Sequence, residues 1–220
     1  MSISSRSPFS PPRPEDESGL PASLPRVASG MRIGLFGGTF NPPHEGHRLA
    51  SLIALQRLEL SSVWWIVTPG NPLKENSGLP PMQTRMEAAR SVANHPKIAV
   101  TGFEADIETR YTYDTIRYLV DRHPGVHFVW IMGADNLAGF HRWQRWREIA
   151  ALVPIVVIDR PRSTLRGASS RAAHYLSFDR VPERNAALLP HMQAPAFMFL
   201  HGPRSDLSST ELRAKGEGLD

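Results

Sequence analysis

The chain has 220 residues, 41% hydrophobic and 21% charged, enough for one sizeable α/β domain or a domain with a tail. It contains no cysteine, which excludes a disulfide framework and a thiolate zinc site and fits a reducing compartment such as the cytoplasm. No apolar run approaches the roughly 20 residues of a membrane helix, and the net charge of +4 suits small anions as well as nucleic acid.

Residues 1–30 are rich in serine and proline and poor in large apolar residues, so they are expected to form a disordered extension. They lack the apolar stretch of a secretory signal, and Glu15, Asp16 and Glu17 argue against an organelle transit peptide. A domain over 31–220 is expected to follow. Arg32 to Phe36 reads as a buried strand ending in the turn Gly37-Gly38. Gly46 to Leu58 has helical apolar spacing at Leu49, Leu52, Ile53 and Leu60. Val63 to Val67 is a strand, Met82 to Ala93 a helix, Ile98 to Val100 a strand and Thr112 to Asp121 a helix. Val126 to Met132 is a strand, and Asp135 to Ala150 holds one or two short helices. The apolar run Ala151 to Ile158 contains a strand from Val153. Residues 160–190 read as an Arg-rich loop with one helix near Ser169 to Leu176. Ala196 to Leu200 is the last strand and Ser208 to Lys215 the last helix. Strands alternating with helices predict an α/β fold with a doubly wound parallel sheet in one domain, its ligands beyond the carboxyl ends of the strands.

The segment Gly37-Gly38-Thr39-Phe40-Asn41-Pro42-Pro43-His44-Glu45-Gly46-His47 follows a strand and opens a helix. Gly37 and Gly38 carry no Cβ and permit close approach of a phosphate, and the N–H groups of the turn and helix start favour an anion. His44 and His47 are three apart and can face one side, where imidazoles can donate to phosphoryl oxygens as charge builds. No further ligands complete a zinc site nearby, no Gly-Lys-Ser/Thr makes a Walker A loop, and the three spaced glycines of a dinucleotide fingerprint are missing. At the other end, Ser208 or Ser209 is a good helix N-cap, and with Arg213 one turn on it makes a second anion site.

The first run resembles the His-x-Gly-His signature of the nucleotidylyltransferase superfamily. Asp206-Leu207-Ser208-Ser209-Thr210-Glu211-Leu212-Arg213 resembles its second signature. The middle of the chain resembles bacterial nicotinate mononucleotide adenylyltransferase at Trp65 to Lys74, at Tyr111 to Thr115, at Gly133 to Leu137 with Phe140 and Trp143, and at Ile158 to Pro161. The resemblance covers about residues 31 to 216. Asn41 stands where many members have Asp, and residues 162–195 match no signature.

The resemblance implies a Rossmann-like nucleotidyltransferase fold and a reaction in which ATP and nicotinate mononucleotide give nicotinate adenine dinucleotide and pyrophosphate, a step of NAD biosynthesis. It assigns His44 and His47 to the reacting phosphate. Gly37, Gly38 and Thr39 go to the nucleotide phosphates, and Ser209, Thr210 and Arg213 to the β and γ phosphates. Gly133 and Asp135 go to the ribose, Arg160 to adenine or phosphate, and Lys74 to the acceptor phosphate. Tyr111, Thr112 and Trp143 go to the acceptor base. Trp64 and Trp146 read as core, and His141, Arg142, Arg145 and Arg147 as a solvated face. Mg²⁺ is expected to travel with the ATP phosphates and water rather than in a protein cage. No nucleic-acid or membrane partner is expected, and a homo-oligomer is left open. Rival acceptors are nicotinamide mononucleotide and phosphopantetheine; a cytidylyltransferase and a non-catalytic nucleotide sensor are further alternatives.

Overall fold

A computed structural model describes residues 23–70, 73, 76–159, 167–202, 212 and 216. Its centre is a six-stranded, all-parallel sheet in the order β3-β2-β1-β4-β5-β6. The strands are β1 (Arg32–Gly38), β2 (Ser62–Val67), β3 (Ile98–Thr101), β4 (His127–Gly133), β5 (Ile155–Ile158) and β6 (Phe197–Leu200). The helices are α1 (Glu45–Arg57), α2 (Met82–Ala93), the single turn α3 (Phe103–Asp106), α4 (Thr112–Arg122), α5 (Ala134–Gly139), α6 (Trp146–Leu152) and α7 (Arg171–Tyr175). Short 3₁₀ segments cover Phe140–Arg142, Leu176–Asp179 and Glu183–His191. The expected doubly wound single domain is therefore observed.

The strands are apolar on both sides because helices cover both faces, as a parallel sheet requires. Successive side chains alternate between the faces. Phe36, Trp65, Val129, Ile131 and Met198 pack with α1, α2 and residues 183–191. Ile33, Leu35, Trp64, Trp130, Met132 and Phe197 pack with α4, α5, α6 and α7. Trp64, read as core, is 1% exposed.

Several boundaries differ from expectation. The run Ala151 to Ile158 divides between the end of α6 and β5, with Pro154 between them. Leu60 lies beyond α1, after a left-handed residue at Glu59. Part of the region expected to be an extension packs on the domain. Leu24 and Val27 touch the core, Thr101 Oγ1 donates to Ser23 O at 2.7 Å, and Gly30 N donates to Gly125 O at 2.7 Å. The packed chain thus begins by Ser23, ahead of Met31. The last expected helix, Ser208 to Lys215, lies outside the described residues except at Leu212.

Strand order reverses between β1 and β4. In open α/β sheets this switch point, beyond the carboxyl ends, is where a crevice opens for ligand. The turns after β1 and β4 leave the sheet there side by side.

Candidate active site

The turn after β1 is shaped by packing before any ligand is considered. Phe40 adopts φ +49°, a left-handed conformation that costs a bulky residue of order 1–3 kcal/mol. Its buried ring stacks on Trp65 at 5.0 Å and lies 4.9 Å from the His47 ring. Trp65 in turn donates from Nε1 to Ser51 Oγ at 2.7 Å, and Ser51 Oγ donates to His47 O at 2.9 Å. The strained turn, the second strand and the first helix are thereby closed around His47.

His44 is the N-cap of α1 and is buried. Its Nδ1 accepts from Gly46 N–H at 3.1 Å, and Nδ1 of His47 accepts from His44 N–H at 3.2 Å. The two rings are 3.9 Å apart, centre to centre. An Nδ1 that accepts carries no proton, so each neutral ring holds its proton on Nε2. The helix cap therefore fixes the tautomer that can donate to a phosphoryl oxygen.

Gly37 has a packing role. A Cβ there would meet Trp130 Cη2 at 2.7 Å, whereas one at Gly38 would make ordinary contacts with Phe40. Thr39 is half-buried in the same turn. At the exit of β4, Gly133 is buried and caps α5, and Asp135 is an exposed residue of its first turn.

The acceptor-base candidates lie on two segments that are tied by a neighbouring contact. Tyr111 and Thr112 open α4, and no side chain caps that helix start. One residue on, Tyr113 lies under the Arg145 guanidinium at 3.5 Å, which ties the start of α4 to the segment after Trp143. Arg145 itself has φ +56° and grips Glu148. Arg147 lies over Trp146 and Tyr175. These arginines, read as a solvated face, therefore make specific ring and ion contacts. Trp143 is half-buried, edge-on to Phe140 at 5.3 Å and to Trp130 at 6.1 Å. Trp130 thus packs against both Gly37, in the turn after β1, and Trp143. Lys74, Arg160, Ser209, Thr210 and Arg213 lie outside the described residues.

Two buried charged residues that sequence reasoning missed stand beside this site. Arg85 reaches the carbonyls of Thr39 and Thr68. Glu104, on α3, accepts from the Thr115 hydroxyl at 2.6 Å. Burial pushes its carboxyl above the usual carboxylate range, opposed by hydrogen bonds from Thr115 and Thr68. Among the described residues, no group of three or more His, Asp or Glu side chains is placed to hold a metal ion, and no helix is long and apolar enough to cross a membrane.

A family model described as cytidylyltransferase-like matches residues 35–215. A Mesorhizobium japonicum protein named "Probable nicotinate-nucleotide adenylyltransferase" is 53% identical over 195 residues, spanning 89% of this chain and 100% of its own. A Methylorubrum extorquens protein of the same name is 57% identical, spanning 84% of this chain and 100% of its own. The Plasmodium falciparum nicotinic acid mononucleotide adenylyltransferase complexed with NaAD superposes with a TM-score of 0.61 at 18% identity, over 83% of this chain and 82% of that one. At that identity the likeness is one of fold. With more than half of the aligned positions identical to those of these relatives, the chain belongs to the nicotinate-nucleotide adenylyltransferase family of nucleotidyltransferases.

Proposed function

We propose that the protein transfers the adenylyl group of ATP to nicotinate mononucleotide, releasing pyrophosphate and giving nicotinate adenine dinucleotide. The observation that carries this reading is the His44–His47 pair at the switch point, with both Nδ1 atoms engaged in the helix cap. The relatives named above support the choice of substrates.

A phosphate oxygen of the acceptor attacks the α-phosphorus of ATP in line, and the bond to the bridging oxygen of pyrophosphate breaks. A phosphate monoester is a competent nucleophile at neutral pH, so positioning and charge stabilisation suffice. The N–H groups of Gly38 and Thr39 face phosphate oxygens, and Nε2–H of His44 and His47, held by the capping of α1, donates to oxygens of the reacting phosphate as charge grows. Asp135 receives the ribose. Beyond the described residues, Lys74 meets the acceptor phosphate, Arg160 contacts adenine or phosphate, and Ser209, Thr210 and Arg213 hold the β and γ phosphates.

Around the β1 turn the donor set of backbone amides and imidazoles suits phosphate oxygens better than a hard cation. Mg²⁺ in this reading is held by the ATP phosphates and water, where it would neutralise their charge. A cysteine-free chain fits the reducing cytoplasm, where we place the reaction.

The acceptor carboxylate offers only acceptors, whereas a carboxamide also brings N–H donors. The uncapped N–H groups at the start of α4, with the Thr112 hydroxyl, favour the acid form, and Trp143 stacks on the pyridine ring. The test is pyrophosphate release from ATP and Mg²⁺ with a panel of acceptors, followed by direct competition of the two mononucleotides. Equal or reversed specificity constants would make nicotinamide mononucleotide the acceptor. ATP binding without pyrophosphate release in the presence of any acceptor would leave a nucleotide sensor.

A further inference from the structure

Arg85, on α2, is 1% exposed. Its guanidinium meets carbonyl oxygens through Nε, Nη1 and Nη2 alike. Nε donates to Pro80 O at 2.9 Å, Nη1 to Thr39 O at 2.8 Å and Thr68 O at 2.9 Å, and Nη2 to Pro69 O at 3.4 Å. These carbonyls come from three separate segments: the turn after β1, the exit of β2, and the entry to α2. Thr68 N–H donates to Gly38 O at 3.0 Å, a second tie between the first two segments.

A buried cation is costly to desolvate and ordinarily has a carboxylate partner. Among the described residues Arg85 has none, and burial lowers its affinity for a proton. A core position that needed only volume would be filled at less cost by an apolar side chain. A rigid planar fork is what joins several carbonyls in fixed directions at once.

We infer that Arg85 is a positioning residue for adenylyl transfer. Its guanidinium fixes Thr39, on the nucleotide side, against both stems of the stretch between Pro69 and Pro80, on the acceptor side. The inference rests on the reaction proposed above. The distance between the two substrates is then set by one group that touches neither.

Lysine at this position keeps the charge but carries three donors on one atom, and it cannot span Pro80, Thr39 and Pro69 together. The test compares the wild type with Arg85→Lys, Arg85→Met and Arg85→Ala. It measures melting temperature, initial rates with ATP and nicotinate mononucleotide, and amide exchange across residues 37–40 and 66–70. Arg85→Lys is expected to melt close to the wild type while its kcat/KM for the acceptor falls on the order of 100-fold. Exchange should rise in those two segments and not in β4 or β5. Millimolar guanidinium, but not ammonium, should restore part of the Arg85→Ala rate. An Arg85→Lys enzyme with wild-type kcat/KM, or one whose loss follows only its folded fraction, overturns the inference. If the wild type releases no pyrophosphate with nicotinate mononucleotide, the reaction is wrong, and the exchange pattern of Arg85→Lys still decides whether the clamp exists.

Discussion

Replacing Gly37 by alanine should damage the protein through Trp130. The added Cβ would lie 2.7 Å from Cη2 and 3.3 Å from Cζ2 of that ring, so the ring must retreat by about 0.7 Å to reach ordinary contact. Its retreat is blocked by Trp143, packed edge-on at 6.1 Å. Overpacking of this kind costs about 1–3 kcal/mol. For a chain of this size, each kcal/mol lowers the melting temperature by about 2–4 °C. Trp130→Phe removes the offending atoms. Its own cost should stay below the roughly 3–5 kcal/mol of truncation to alanine. It is further offset because Trp130 Nε1 is buried without a hydrogen-bond partner among the described residues. The double variant should then be more stable than the two single losses added together, by at least about 1 kcal/mol. Thermal melts of the four proteins give that coupling directly, and initial rates should show the acceptor KM rising in Gly37→Ala and recovering in the double variant. Strict additivity would mean that the glycine is required for something other than the tryptophan.

His47→Ala should lower kcat by about 2.7–4 kcal/mol of barrier while ATP binding, followed by titration calorimetry, changes little; near-wild-type turnover in a folded variant would remove this ring from the reacting centre. Glu104 holds its proton to higher pH in the folded chain than in the unfolded one, because burial raises its pKa. Its contribution to stability is therefore present in acid and is lost as pH rises through the folded value. Glu104→Gln keeps an acceptor for Thr115 and cannot ionise, so its melting temperature should equal or exceed the wild type at pH 8 and lose that advantage at pH 4. Equal destabilisation at both values would show that the carboxyl is not the source. A chain beginning at Met31 loses the half-buried Leu24 and Val27, and should melt lower by an amount corresponding to about 1–3 kcal/mol while keeping its kcat. An unchanged melt would mean that the packing of residues 23–30 contributes nothing.

What could be read from the residues in order was what local chemistry dictates. Strands such as Val63 to Val67 are continuous apolar runs because both faces of a parallel sheet are covered, and the His44 to His47 spacing is a property of four adjacent residues. The unreadable parts depend on contacts between distant segments. Arg85 meets Thr39 across 46 positions, and in sequence it is one arginine on an amphipathic helix. Trp130 looks like any core aromatic until Gly37 and Trp143 are found on either side of it. Phe40 gives no sign of its left-handed backbone, since its ring is held by Trp65 from another strand. The four residues of α3 are too few for any periodicity, so nothing in the sequence marks Glu104 as buried. The sparse Leu24 and Val27 have no meaning as a pattern and acquire one only by docking.

The capping arrangement at α1 limits which side chains can stand at positions 44 and 47. Each must accept a hydrogen bond at one edge of a rigid plane and offer one at the other. Ammonium and guanidinium groups only donate and carboxylates only accept. A hydroxyl does both but from a single atom, with too short a reach to serve helix and substrate together. Neutral imidazole and the primary amides have the required polarity. Asparagine or glutamine should therefore preserve the helix start better than lysine at either position, even though lysine brings the charge that a phosphate would favour. Tolerance at these two sites follows the direction of hydrogen bonds and not the sign of charge.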